Sequence, residues 1–189
     1  MSWAPWLAAL PDAAHMRATD RWAIEDRRVP SLELMERAGE GLARVVCEHV
    51  PDGRVAVVCG KGNNGGDGLV VARLLRVAGR DVDVLLTDEP SGLSGDPAAN
   101  LERLPGRPPS PFAADHLAAA SVIVDALLGT GFTGTPREPA ASVIAAMNAA
   151  GAPVIAADVP SGVDASTGVV AGEAVSAVAT ATFHLGKPG

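Results

Sequence analysis

Apolar residues along the chain fall into runs of two kinds. Short, nearly unbroken ones occupy Arg54 to Cys59, Val82 to Leu86, Ser121 to Leu127 and Pro153 to Asp158. Runs of this length and β-branched content predict strands covered on both faces. Between them the spacing lengthens. Leu32, Met35, Leu42, Val45 and Val46 recur at helical intervals from the Pro30-Ser31 start, where serine is a good N-cap, until Pro51 stops the run. Further helices are predicted from Ala13 to Asp26, with Met16, Trp22 and Ala23 on one stripe, and from Asp67, as N-cap, to Gly79. Another runs from Glu138 to Ala150, closed by Gly151. Ala179 to His184 predicts a fifth strand. Residues 1–11, with Trp3 and Trp6, read as an irregular lead-in. Asp88 to Pro111 holds six of the fifteen prolines and predicts a surface excursion with a short helix around Pro97 to Leu104.

Strands alternating with helices place the chain in the α/β class. The expected architecture is a three-layer α/β/α sandwich, Rossmann-like, around a mostly parallel central sheet, with residues 1–189 as one domain. Right-handed crossovers then gather the loops that follow the strands at one sheet edge. Three such loops, 60–68, 128–136 and 158–168, are rich in glycine and carry oxygen-bearing side chains. They are expected to converge on one crevice.

The first loop, Gly60-Lys61-Gly62-Asn63-Asn64-Gly65-Gly66-Asp67-Gly68, follows a strand and precedes a helix, a setting suited to phosphate. It contains a literal GxGxxG at Gly60, Gly62 and Gly65. The acidic residue that would hold ribose at the end of the second strand has only Asp88 or Glu89 as candidates, both inside the proline-rich excursion. A Walker loop is excluded because no Gly-Lys precedes Ser or Thr, and Pro160-Ser161-Gly162 lacks the first half of a nucleophile elbow.

Bulk properties narrow the choice further. A net charge of −7 leaves no broad basic face for nucleic acid. No apolar stretch approaches the roughly 18 residues that span a bilayer, which excludes a membrane partner. The N-terminus lacks a basic segment followed by an apolar core, so a cytoplasmic protein is expected. Cys47 and Cys59 read as reduced core thiols, and the four scattered histidines make a zinc site improbable. Only Lys61 and Lys187 are lysines, against thirteen arginines, and both adjoin glycines at suspected site loops.

Taken together, four segments carry a more specific signal. Leu34-Met35-Glu36-Arg37-Ala38-Gly39, Gly62 to Gly68, Asp125-Ala126-Leu127-Leu128-Gly129-Thr130-Gly131 and Asp158-Val159-Pro160-Ser161-Gly162-Val163-Asp164 occur in one order along the chain. In these the chain resembles the NAD(P)H-hydrate epimerase family, the YjeF N-terminal domain, from about Met16 to Gly189. The resemblance implies an isomerase of nicotinamide nucleotide repair. Such an enzyme interconverts the R and S epimers of NADHX and NADPHX, hydrated forms of the reduced cofactors, so that an S-specific, ADP- or ATP-dependent dehydratase can recover the whole pool.

By resemblance, Asn63, Asn64, Gly65, Gly66 and Asp67 line the substrate site, with Gly129, Thr130, Gly131, Phe132, Thr133, Gly134, Thr135 and Asp158. Asn64, Asp125 and Ser161 match the family's potassium ligands, one ion per subunit. Two neutral oxygens and one carboxylate suit a weakly charged hard cation better than zinc or calcium. Asp158 is the expected catalytic group, ending a strand in the crevice, with Asp67 the next candidate. The resemblance also implies a homodimer. The family pattern continues beyond Gly189 into a further strand, so the chain is expected to be cut short at its C-terminus, with the dehydratase fused behind it or coupled to it. The alternatives are a non-catalytic nucleotide-binding or protein-interaction module of the same fold and a nicotinamide-dependent dehydrogenase.

Overall fold

The run Val55–Cys59 forms strand β1, buried at all five positions. It lies at the centre of a six-stranded sheet, in a computed structural model that describes residues 10–188. In chain order the elements begin with α1 (Ala13–Arg21), which continues into a π-helical turn at Trp22–Asp26, then α2 (Ser31–His49) and β1. Next come α3 (Asn63–Val77), β2 (Val82–Leu86), α4 (Gly95–Glu102), β3 (Ser110–Pro111) and β4 (Val122–Ala126). The last are α5 (Ala140–Ala149), β5 (Val154–Ala157) and β6 (Ala179–Ala181). The sheet order is β3-β2-β1-β4-β5-β6, and every pairing is parallel.

Alternation along the strands sorts the core into two faces. Val55, Val57 and Cys59 meet Leu42 and Val46 of α2 and Leu69, Ala72 and Leu75 of α3. Ala56 and Val58 point the other way, to Val143, Ile144 and Met147 of α5. The result is the expected three-layer α/β/α sandwich. From β1 the chain builds outward to β2 and β3, then returns to place β4 on the opposite flank of β1. The crevice at this reversal is where open α/β sheets bind ligands. Register sets the chemistry there: Asp125 stands beside Val58 of β1 and Ala156 of β5, at the carboxyl ends of all three strands.

Several elements differ from expectation. Helix α3 begins at Asn63, with Gly62 in extended conformation as its cap, so Asp67 lies inside the helix and is no N-cap. Asn-Asn-Gly-Gly has poor helix propensity, and tertiary packing overrides it. Asn64 to Ala72 are all buried. Ser31 is the first helical residue and Pro30 the cap. The proline-rich excursion adds an edge strand, β3, and its helix falls at Gly95–Glu102. Cys47 is exposed and is no core thiol, whereas Cys59 is buried. Trp22 is exposed, with Arg27 stacked 5.3 Å from its ring centroid. Trp3 and Trp6 lie outside the described residues. Among the described residues no helix is long and apolar enough to cross a membrane.

Candidate functional site

The three glycine-rich loops leave β1, β4 and β5, which are neighbours, and so meet at one sheet edge. A cavity of about 620 Å³ opens there. Gly62, Asn63, Asn64 and Asp67 line it from the start of α3, Leu128 to Phe132 from the loop after β4, and Asp158 from the end of β5. Its remaining walls come from α1 and the turn after it (Met16, Arg17, Asp20, Ile24), α2 (Ser31, Leu34, Met35, Ala38), Asp96 of α4 and the C-terminal turn (Phe183, His184, Lys187).

Beneath the cavity, side chains from all three loops tie the strand ends together. Asp125 is fully buried. Its Oδ2 accepts from the Ser161 N–H at 2.8 Å, and its Oδ1 accepts from the Ser161 hydroxyl at 2.6 Å and the Leu127 N–H at 3.2 Å. The Ser161 hydroxyl oxygen in turn accepts from the Leu128 N–H at 2.8 Å, and Asn64 Nδ2 donates to the Leu128 carbonyl at 2.9 Å. Burial pushes the Asp125 carboxyl up to about 6, against the lowering effect of its Ser161 and Leu127 hydrogen bonds. Gly129 allows the approach, because a Cβ there would stand 3.1 Å from Asn64 Cβ and 3.2 Å from its Oδ1. One carboxylate, a hydroxyl, an amide and a main-chain carbonyl therefore converge on a nearly dry cluster that carries a single formal negative charge.

Two further carboxyls face the cavity in unlike settings. Asp67 is buried one turn into α3, and among the described residues its carboxyl has no hydrogen-bond partner. Desolvation, reinforced by the charges of Asp158 and Asp20, holds it well above the usual carboxylate range. Asp158 instead forms an ion pair with Lys187, and its Oδ1 also accepts from the Phe183 N–H at 3.1 Å. Its φ of +66° lies in the left-handed region, which costs a non-glycine residue free energy and clusters at functional sites.

The expected site residues do not all share this cavity. Gly129, Thr130, Gly131 and Phe132 line it, but Thr133, Gly134 and Thr135 line a separate depression beyond Phe132, together with Arg137. Gly65 and Gly66 are packing positions in the interior of the protein. A Cβ on Gly65 would lie 1.8 Å from the Gly60 carbonyl oxygen, and one on Gly66 would lie 2.7 Å from Met35 Sδ. Gly65 thus plays the packing part of the third glycine in the GxGxxG motif.

A sequence model of one family, described as the YjeF-related protein N-terminus, matches residues 31–189. The chain belongs to this family. Among its relatives, the NAD(P)H-hydrate epimerase of Limosilactobacillus fermentum is 42% identical over 180 residues, covering 94% of this chain and 86% of that protein. The bifunctional NAD(P)H-hydrate repair enzyme Nnr of Salinibacter ruber is 42% identical over 197 residues, and there the match spans only 36% of the relative's length. In three dimensions the chain is similar to the crystal structure of yeast ynu0, YNL200c. The TM-score is 0.82 at 25% identity, covering 96% of this chain and 82% of that one.

Within this YjeF-type site, sequence reasoning missed the walls supplied by α1 and α2. Leu34, Met35 and Ala38 belong to the first of the four family segments, to which no site role was assigned. They do abut α3, where a Cβ on Gly39 would strike Val70 Cγ1 at 2.3 Å, and they also line the cavity. Lys187 was visible as one of only two lysines, but its bond to Asp158 was not.

Proposed function

We propose that this chain is an NAD(P)H-hydrate epimerase, interconverting the R and S epimers of NADHX and NADPHX. The relatives' names supply the substrate. The observation that supports catalysis over a merely binding or scaffolding module is the placement of two carboxyls, partnerless Asp67 and ion-paired Asp158, across one crevice. C6 of the hydrate is a hemiaminal carbon bearing a hydroxyl and the ring nitrogen. In a ring-opening route a base takes the hydroxyl proton as the C6–N1 bond breaks, and an acid protonates N1. The resulting aldehyde turns about C5–C6, and N1 re-adds to its other face as both protons return. No atom or electron is gained or lost. One donor and one acceptor suffice, and two carboxyls in unlike surroundings provide them. Asp67, whose burial favours the protonated form, is the donor, and Asp158, paired with an ammonium, is the acceptor. The test starts from pure R or S NADHX and follows the epimer ratio by chromatography. Equilibration faster than the spontaneous rate is expected, and none above it would remove the proposal.

A potassium ion, one per subunit, belongs to the same reading. Asn64, Asp125 and Ser161, with the Leu128 carbonyl, form an all-oxygen donor set with one charge, and that chemistry fits a monovalent hard cation. When bound, the ion supplies positive charge that ties the three loops together and preorganises the pocket. Asp125 provides the test. Its folded-state value of about 6 lies above the ordinary carboxyl value, so stability is lost as pH rises toward 6 and the buried group ionises. A cation beside it favours the ionised form. Potassium should therefore raise the melting temperature more at pH 7.5 than at pH 5, and more than sodium or choline at equal ionic strength. Equal melting temperatures in all three salts would remove the ion from the site.

We further propose a cytoplasmic homodimer, fused or functionally coupled to an ADP- or ATP-dependent dehydratase. Both cysteines are free thiols, which suits a reducing compartment. Trp22 lies exposed in a groove with Thr180 to His184 along the edge strand β6, a surface that a second copy would cover. A monomer mass by light scattering at micromolar concentration would remove the dimer. The bifunctional relatives support the coupling, which copurification or a fused reading frame would test.

A further inference from the structure

We propose that Lys187 is a positioning residue for Asp158, fixing the ionised carboxylate at the crevice wall. The inference rests on the epimerase proposal and deepens it. The Lys187 side chain is only 1% exposed, and that of Asp158 only 11%. The ammonium donates to Asp158 Oδ1, to Thr182 Oγ1 at 3.1 Å and to the Phe183 carbonyl at 2.8 Å, so all three of its protons are used. Phe183 braces the pair from both sides, because its N–H also donates to Asp158 Oδ1. Among the described residues Asp158 Oδ2 has no protein donor, which leaves it for the substrate. The turn that carries the lysine is itself held in an uncommon conformation, with His184 at φ +59° beside Asp158 at φ +66°.

The choice of residue is informative. The chain uses arginine at thirteen of its fifteen basic positions. Of the two lysines, Lys61 is 68% exposed, with Asp88 3.6 Å away, and an arginine could stand there. At 187 three acceptors converge on one point inside the protein. A compact ammonium satisfies that arrangement, and a planar guanidinium does not. Removing one partner of a buried pair leaves an uncompensated charge, so Lys187 and Asp158 act as a unit. The other charged groups lining the same space are Asp67 of α3, Arg17 and Asp20 of α1, Asp96 of α4 and His184, whose Nε2 lies 3.2 Å from Asp20 Oδ1. None of these is held against Asp158 by a hydrogen bond.

Lys187→Met keeps the chain length and removes the charge. Its kcat for R-to-S conversion should fall about 100-fold, the lower end of what a general base contributes, with KM and NADP+ affinity changed by less than about threefold. A purely structural role would lower the folded fraction and leave kcat per folded enzyme unchanged, and this outcome overturns the proposal. Should Lys187→Met fail to fold, Thr182→Val removes one of the ammonium's acceptors and should lower kcat by less, with KM again in place. An unchanged kcat there also overturns it. If the unaltered protein shows no epimerase activity, the epimerase proposal fails on its own. Lys187 is then read from the Asp158 side chain in a crystal structure, which should hold one rotamer with Lys187 present and lose it in Lys187→Met; one unchanged rotamer in both overturns the proposal.

Discussion

Asp158→Asn is expected to bind nucleotide and to lose R-to-S conversion by about 10²- to 10⁴-fold, the range a positioned general acid or base contributes. The amide keeps the size of the carboxyl, and its oxygen can still accept from the Phe183 N–H and the Lys187 ammonium, so these contacts of the crevice wall are kept although the buried ammonium loses its counter-charge. It cannot accept the hydroxyl proton of the hemiaminal. Asp67→Asn should lower kcat on the same scale for the opposite reason, since the amide can donate a hydrogen bond but cannot transfer the proton to N1. The two substitutions part on pH. Asp67 is held above the ordinary carboxyl value, so in the parent kcat falls as pH rises through its folded-state value and the acid is lost. That limb should be absent from Asp67→Asn. Stability follows the same sign. The fold holds the Asp67 proton more tightly than the unfolded chain does, and this contribution is complete below the ordinary carboxyl range and lost as pH rises through the folded-state value. Asp67→Asn should therefore flatten the fall in melting temperature toward alkaline pH. Undiminished turnover in Asp158→Asn would move the proton acceptor elsewhere, and an alkaline limb that survives in Asp67→Asn would do the same for the donor.

Much of this site was legible because strand pattern and handedness fix topology. Once β1, β4 and β5 are read as parallel strands joined by right-handed crossovers, Asn64, Asp125, Asp158 and Ser161 must arrive at one edge, and they do. Three things escaped for physical reasons. Helix α3 starts four residues before the expected Asp67, because close packing of Gly65 and Gly68 on the loop and sheet stabilises a helix that local propensity disfavours. The walls from α1 and α2 precede the sheet in the chain, and no periodicity says where a helix N-terminal to β1 will dock. The bond between Lys187 and Asp158 joins residues 29 positions apart through a turn that carries His184 at positive φ, a conformation seldom seen outside glycine and carrying no sequence mark here. The second loop also reads as one motif but divides at Phe132, because Thr133 to Thr135 line the neighbouring depression and not the crevice.

Gly65→Ala should be the most destabilising single-methyl change in the opening motif, by about 3 kcal/mol, the upper part of the range for overpacking. The methyl would stand 1.8 Å from the Gly60 carbonyl oxygen and 2.7 Å from its carbonyl carbon, and both are backbone atoms. Neither can rotate away as a side chain could. Gly60 has no room to yield either, since its own Cβ position lies 2.2 Å from the Leu127 oxygen and its N–H donates to the Ala126 carbonyl at 3.1 Å. The start of α3 would have to lift from β1 and β4 as a unit, carrying Asn64 away from the Leu128 carbonyl. Gly62→Ala is the matched control three residues earlier. That glycine has φ −84°, and a Cβ there meets nothing within 4 Å, so the change should cost under about 1 kcal/mol, within the range for an N-cap substitution. Urea unfolding of both variants reads the difference. Equal midpoints would mean that Gly65 is kept for an approaching ligand, as its place in a phosphate-type loop suggests. A large gap would mean that the glycines of this motif bring helix and sheet close enough for Asn64, Asp67 and Asp125 to face one crevice, leaving the recognition to those polar side chains.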